Sequence, residues 1–467
     1  MFKLAMFVQG NGISIDPLTC VYISSYVGTL AVITASMLNM IRSNENASNW
    51  DKMSLIIIED VPIRERIEMP IVKSIQDAIK HLSKNHSDVE WWFIGDNATC
   101  NKLIRQGIVM NIHVSIDWDN TSRNTIIQEE KFDWSLLNDS EFEMISTTKC
   151  LNSPSSKSVR HYMRMNKEEM KLLSSMQNII QNGFKRPTRT GIDTLSVFGQ
   201  QFEYRMNERT DSNGVSSYRL PLLTTKKMFT RGVFAELKWI LSGGTSSKTL
   251  EAQGVNIWKG NTTREYLDSV GLSKYDEGEA GPIYGFQWKH WGAKYEKGKH
   301  DYTGEGIDQV TNVIKSLETN PFGRRHIISG WAPDQLDDMC LPPCHVLYQF
   351  MVHEEGNQKY LSLMMYQRSC DTFLGLPFNI CSLGMFLTLM AHRVNMKPYK
   401  LIHSVADMHI YENHIEAVNK QLKRKACMFP YIHVNCDPKD KLEDYEFENI
   451  VIEDYFSHGV IKADMAA

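Results

Sequence analysis

A run of small and polar residues, Asn152-Ser153-Pro154-Ser155-Ser156-Lys157-Ser158, interrupts a chain of 467 residues that is too long for a single ordinary core. Residues of this kind pack poorly and read as a connection. The chain is therefore expected to divide into a region 1–150, a linker 151–165 and a region 166–467. The two sides carry different patterns. Before the break, Leu4 to Val8, Ser54 to Ile58 and Trp91 to Ile94 read as buried strands, and Ile75 to Leu82 reads as a helix, which is α/β logic. After it, Lys167 to Gln181 places Met170, Leu173, Met176 and Ile180 on one helical face, with Gly183 positioned to end the helix in the left-handed conformation. Strands at Leu347 to Val352 and Tyr360 to Met365 then mix with a long apolar helix at Ile380 to Ala391, without the regular alternation of a doubly wound sheet, so this region is expected to be α+β.

A net charge of −4 excludes a generally basic nucleic-acid binder, and affinity for a phosphate must come from local arginines. The partners are expected to be small molecules. Nine cysteines lie scattered without paired or metal-ligand spacing, so no metal is expected. With no cleavable signal segment, free thiols point to a reducing compartment, the cytoplasm or an organelle. Pro17 to Ile41 contains no charged residue and is long enough to cross a bilayer. Its Ser, Thr, Tyr, Gly and Asn content, and flanks without a basic cluster, favour a buried core segment over a membrane anchor.

The chemistry concentrates in the second region. Pro342-Pro343-Cys344-His345 is followed by Gln367-Arg368-Ser369-Cys370-Asp371 and by Gly375-Leu376-Pro377-Phe378-Asn379. A thiolate can add to the electron-poor C6 of a pyrimidine and leave C5 nucleophilic, and Cys344 is the candidate. A free thiol is little ionised at neutral pH, so the role calls for a cationic neighbour. Asn379 offers an acceptor and a donor that suit N3–H and O4 of uracil, whereas cytosine presents the opposite pattern. Glu236 sits inside an apolar helical stretch, Phe234-Ala235-Glu236-Leu237-Lys238-Trp239, where a carboxylate is costly unless it is paired or useful.

These segments resemble the nucleophile and substrate-binding blocks of thymidylate synthases. The resemblance runs in order from about residue 166 to the last residue, through Arg189-Thr190-Gly191, Gly281 to Trp288 and Asp407-Met408-His409-Ile410-Tyr411. It implies an α+β thymidylate-synthase fold and methylation of dUMP to dTMP, with 5,10-methylenetetrahydrofolate as donor of both carbon and hydride. It also places Arg368 beside Cys344. Arg189, Arg324, Arg325, Arg368 and Ser369 match the family's phosphate site, and Arg324 and Arg325 are implied to reach across an obligate homodimer. Glu236 matches a glutamate that acts through water, Tyr284 the tyrosine associated with removal of the C5 proton, and His409 and Tyr411 the groups that hold the ribose hydroxyl. Asp371 matches the carboxylate on the pterin, while Ile257, Trp258, Leu374, Gly375 and Phe378 match the walls around it. The tail ending at Ala467 resembles the segment that closes over the ligands, so the Ala467 carboxylate is implied to take part.

Some positions depart from the family pattern. Lys259 follows Ile257-Trp258 where an aspartate is usual, Ala332 and Ser246 replace asparagines, and Ala406 replaces a glycine ahead of Asp407. A dUMP hydroxymethylase, in which water instead of hydride quenches the same exocyclic methylene, is an alternative reaction, and a retired homologue serving as a binding module is another.

The first region partly resembles a dihydrofolate reductase, in Gln9-Gly10-Asn11-Gly12-Ile13, in Trp91 to Gly95 and in the strand Ile112 to Asp117. The reductase chemistry has no matching residues. No Asp or Glu occurs from Pro17 to Asn44, and Gly95-Asp96 puts a negative side chain where a double glycine would approach a pyrophosphate. The region is expected to be a degenerate, non-catalytic reductase-like domain that does not use NADPH.

Overall fold

The computed structural model describes residues 157–464 apart from 212, 213 and 300, and, before residue 157, seven strands together with positions 77, 101 and 104. It divides into two compact units, Met1–Lys167 and Glu168–Ala467.

In the first unit, β1 (Lys3–Gln9), β2 (Leu30–Thr34), β3 (Ser54–Ile58), β4 (Ile71–Val72), β5 (Glu90–Ile94), β6 (Val109–Asp117), β7 (Phe142–Lys149) and β8 (Lys157–Arg164) form one sheet in the order β4-β3-β2-β5-β1-β6-β8-β7. The pairs from β4 to β6 are parallel, and β8 runs antiparallel to both β6 and β7. Parallel neighbours require long crossovers, so the α/β pattern of short apolar runs has a direct structural counterpart. Leu30–Thr34, inside the uncharged stretch, is a strand paired on both sides. The rest of 17–41 lies outside the described residues, as do Gly10 to Ile13, Gly95-Asp96 and most of Ile75 to Leu82.

The expected linker 151–165 needs correction. Lys157 to Arg164 is a strand inside the first sheet, because ladder bonds to β6 and β7 satisfy its backbone whatever the polarity of its first residues. Arg164 closes it, buried, donating to the Ile104 carbonyl at 3.0 Å with its guanidinium 4.5 Å from the Phe142 ring centroid.

The second unit opens with α1 (Lys167–Asn182). Its buried residues are Glu169, Leu172, Met176 and Ile179: Met176 is on the expected face, the other three each lie one position before an expected residue, and Met170 is exposed. The reason is Glu169, whose fully buried carboxylate accepts from the backbone N–H and hydroxyl groups of both Thr224 and Thr225. A carboxylate so supplied belongs to the core face. Gly183 is not left-handed. A Cβ there would stand 2.4 Å from the Ile179 carbonyl oxygen, so close approach is what requires glycine.

The central sheet contains β9 (Phe184–Arg186), β10 (Thr194–Arg205), β13 (Ile327–Ser329), β14 (His345–Glu355), β15 (Gln358–Asp371) and β16 (Lys397–Tyr411), in the order β13-β14-β15-β16-β10-β9. A smaller sheet joins β11 (Glu208–Thr210), β12 (Ser216–Arg219), β17 (Tyr431–Val434) and β18 (Ile450–Glu453). All pairs in the central sheet are antiparallel except β15 and β16. The helix that makes this parallel crossover, Gly375–Arg393, is apolar around most of its circumference because it is buried against the sheet and neighbouring helices. Among the described residues it alone is long and apolar enough to cross a membrane, and it is the core helix of this unit.

Candidate active site

The end of β15, the start of the Gly375–Arg393 helix and the start of β14 meet at one edge of the sheet, beside a cleft of about 940 Å³. Cys344 stands immediately before β14, half-buried. Its N–H donates to the Tyr284 hydroxyl at 2.7 Å, and its carbonyl accepts from the Arg368 N–H at 2.9 Å. Arg368 in turn donates from Nε to the Pro343 carbonyl at 2.9 Å and from Nη2 to the Pro342 carbonyl at 2.7 Å. The two proline carbonyls thus anchor the guanidinium beside Cys344. Burial pushes the Cys344 thiol up, and Arg368, the Tyr284 hydroxyl and Arg189 draw it back without overcoming burial. The cation expected beside the thiol is present, and desolvation outweighs it.

Across the cleft, Glu236 projects from α2 (Thr230–Leu241). It accepts a hydrogen bond from Trp258 Nε1 at 2.9 Å. Burial raises its carboxyl to about 7, opposed only by that bond, so it holds or releases a proton near neutrality. Tyr284 opens α3 (Tyr284–His290), preceded by Gly281, where a Cβ would meet the Asp338 carbonyl oxygen at 2.1 Å.

Asn379 and Asp371 flank the first turn of α4 (Gly375–Arg393). Asn379 Oδ1 accepts from Gln367 Nε2 at 3.1 Å. Burial pushes Asp371 up, but the His414 imidazole, whose Nδ1 lies 3.8 Å from Oδ1, together with His409 and the Phe373 N–H outweighs it and keeps the carboxylate below its ordinary range. On β16, His409 Nδ1 lies 3.3 Å from Asp407 Oδ1, and its ring packs edge-on against Tyr411. Arg189, Ser369, Ile257, Trp258, Leu374, Gly375 and Phe378 all line the same cleft.

Two expected residues lie elsewhere, and a third is not described. Arg324 and Arg325 are exposed and do not line the cleft, and Ala467 falls outside the described residues. The tail before it does approach: Ile461 lines the cleft, and the Asp464 carbonyl accepts from His414 Nε2 at 2.7 Å. Lys259 is exposed and is not among the residues that line the cleft.

The sequence pattern of thymidylate synthases matches residues 170–467. This chain belongs to the thymidylate synthase family. It is 45% identical over 306 residues to a thymidylate synthase of Saccharomyces cerevisiae, covering 64% of this chain and 98% of that one. It is 43% identical over 298 residues to the human thymidylate synthase, covering 64% and 90%. A bifunctional dihydrofolate reductase-thymidylate synthase of Paramecium tetraurelia is 38% identical over 380 residues, 81% of this chain and 75% of that one, so that match extends into the first unit.

The site also contains residues that reading the sequence did not single out. Lys226 is buried on the cleft wall, donates to the Phe373 carbonyl, and is lowered to about 8 by burial against the opposing charge of Asp371. Arg186 pairs with Asp407. Gln367 and Asp407 both lay within motifs already marked, whereas a lysine in Thr224-Thr225-Lys226-Lys227 carries no signal of its own. Among the described residues, no group of three His, Cys, Asp or Glu side chains could hold a metal ion.

Proposed function

We infer that this cleft methylates dUMP to dTMP through a covalent adduct between Cys344 and C6 of the pyrimidine. The supporting observation is convergence: a thiol, two guanidinium groups, an amide and a carboxyl that titrates near neutrality all face one cavity. Arg189 and Arg368 with Ser369 bind the 5′-phosphate, and Asn379 reads the uracil edge. His409 and Tyr411 hold the ribose hydroxyl, with Asp407 keeping the His409 ring oriented.

Addition of the Cys344 sulfur to C6 moves the C5–C6 electron pair toward O4, and the Glu236 carboxyl supplies proton stabilisation there through water. Tyr284, bonded to the Cys344 backbone, assists removal of the C5 proton. Once C5 carries the transferred carbon and that carbon receives hydride, expulsion of the sulfur as thiolate restores the C5–C6 double bond. When bound, 5,10-methylenetetrahydrofolate supplies the one-carbon unit and the hydride and leaves as dihydrofolate. The cleft suits such a group: Ile257, Trp258, Leu374 and Phe378 make apolar walls, and Asp371, kept ionised, faces the N–H donors of a pterin.

The enzyme works as a homodimer. Ile327, Met351, Met364 and Tyr366 are exposed on one face of the central sheet, as their register requires, and Arg324-Arg325 lie exposed beside β13, which supports donation of both arginines to the neighbouring subunit. The first unit is a reductase-like domain, in keeping with the bifunctional relative that it partly matches, and the lack of any Asp or Glu from Pro17 to Asn44 supports its having no reductase activity. A cytoplasmic setting agrees with the six free cysteines among the described residues. Incubation with 5-fluoro-dUMP and methylenetetrahydrofolate tests the chemistry. Fluorine cannot leave C5 as a proton does, so a stable covalent complex should form, and none with Cys344→Ser. A wild-type chain that binds both ligands without a covalent adduct refutes the reading.

A further inference from the structure

A buried amide, on the wall of the cleft, and a buried imidazole stand behind Asn379. Gln367 is 3% exposed and His403 is fully buried. Gln367 Nε2 donates to the Ser369 backbone carbonyl at 2.9 Å and to Asn379 Oδ1 at 3.1 Å. His403 Nε2 lies 2.8 Å from Gln367 Oε1.

The first contact decides the rest. A backbone carbonyl can only accept, so the Gln367 atom beside Ser369 must be the NH2 group, and Oε1 must face His403. A carbonyl oxygen can only accept as well, so His403 carries its proton on Nε2. The neutral ring then has a bare Nδ1, and that atom is the one without any partner. Burial and the nearby His345 hold the imidazole far down, at about 3, so it stays neutral at working pH and cannot exchange its donor for a charge. Both hydrogens of the Gln367 amide are engaged, one of them on Asn379. Asn379 Oδ1 is thereby pinned on the Gln367 side, where its remaining lone pair can meet N3–H of uracil while Nδ2 meets O4.

We propose that His403 is a specificity-determining positioning residue, which through Gln367 locks the Asn379 amide in the orientation that accepts uracil and rejects cytosine. Cytosine requires the amide turned end for end. That turn would set Asn379 Nδ2 against the Gln367 NH2, and Gln367 could follow only by placing Oε1 against the Ser369 carbonyl and NH2 against the His403 N–H. Each reversal faces donor with donor or acceptor with acceptor in a buried site, where such a mismatch is costly. The proposal rests on Asn379 reading the base.

The test measures binding of dUMP and dCMP to the full chain by calorimetry, with thermal unfolding to verify the fold. His403→Leu leaves Gln367 Oε1 without its donor, and the preference for dUMP over dCMP is expected to fall at least about tenfold, the size of one buried hydrogen bond. His403→Gln, whose amide can still donate to Oε1, is expected to keep the preference within about threefold of wild type. Equal weakening toward both nucleotides in His403→Leu overturns the proposal, as does failure of His403→Gln to differ from it. Asn379→Ala separates the two levels. If it leaves the preference intact, Asn379 does not read the base and both readings fall; if it abolishes the preference while His403→Leu does not, only the relay falls. Should His403→Leu not fold, nitrogen-15 spectra of histidine-labelled wild-type protein decide, since the proposal requires the Nε2–H tautomer at His403 and an Nδ1–H ring overturns it.

Discussion

Cys344 and Glu236 face the same cleft, and burial raises both, yet their surroundings differ in kind. Cys344 has the guanidinium groups of Arg368 and Arg189 and the Tyr284 hydroxyl working against desolvation, while Glu236 has one indole N–H. An anion introduced at the Cys344 end meets fixed positive charge. A proton at the Glu236 end meets an apolar helix that holds it until about pH 7. The contrast separates the proposed nucleophile from the proposed proton reservoir within one cavity, by neighbours more than by residue type.

The comparison can be broken at each end. Cys344→Ser should lower turnover by roughly four powers of ten or more, because a hydroxyl is far less ionised under the same arginines. A steady-state assay of dTMP release measures this, and residual activity within tenfold of wild type would show that the sulfur is not the nucleophile. Glu236→Gln should cost about 10²–10³-fold in kcat with little change in dUMP affinity, as expected when a proton-transfer group is lost.

The same substitution has a stability signature whose sign follows from linkage. Folded Glu236 titrates near 7 against an ordinary 4.5, so its contribution is complete below about pH 4.5 and disappears as the pH rises through 7. Glu236→Gln should therefore gain melting temperature relative to wild type progressively as the pH rises from about 4.5 to 7 and keep that gain above 7, with about 3 kcal/mol as the upper bound. A gap that stays constant with pH would mean that the carboxyl is not held protonated.

Arg368→Lys keeps the charge but loses the fork that grips the Pro342 and Pro343 carbonyls. It should reduce kcat/KM roughly 10–100-fold and move alkylation of Cys344 to higher pH. Titration of the thiol with a small alkylating reagent reads the shift directly. The mildest change is Trp258→Phe, which removes the one bond that lowers Glu236. The pH break assigned to Glu236 should then climb by about half a unit to one unit, equivalent to a hydrogen bond of ~1 kcal/mol, with kcat changed only a few-fold.

Legibility varied in the same way across the fold. Strands β1, β3, β5, β6, β14 and β15 were readable because an apolar run is a local property, whereas β10 and β16, with polar residues along both, were not; the start of α1 at Lys167 was readable from its local periodicity. Its buried face was not. Glu169 counts as polar by type, and only Thr224 and Thr225, 55 and 56 residues away, turn it into a core residue. The strand at Lys157 was hidden for a related reason: its ladder partners, not its side chains, make it a strand. At the site, residues inside recognisable motifs were found, whereas Lys226, His403 and His414 were not, since a lysine or histidine in a strand or loop looks the same whether it faces a cleft, a core or solvent.

The sequence alone determined the chemical inventory: one motif-bound thiol, arginines in four places, an amide suited to uracil and a carboxyl embedded in an apolar helix. Those are properties of residues and their near neighbours along the chain. Tertiary structure decided the protonation and orientation of that inventory: that Glu236 titrates near 7, that Cys344 is held up by burial despite its arginines, and that Gln367 and His403 stand behind Asn379. Desolvation and hydrogen bonding depend on atoms within a few ångströms, and here those atoms come from strands and helices far apart in the chain.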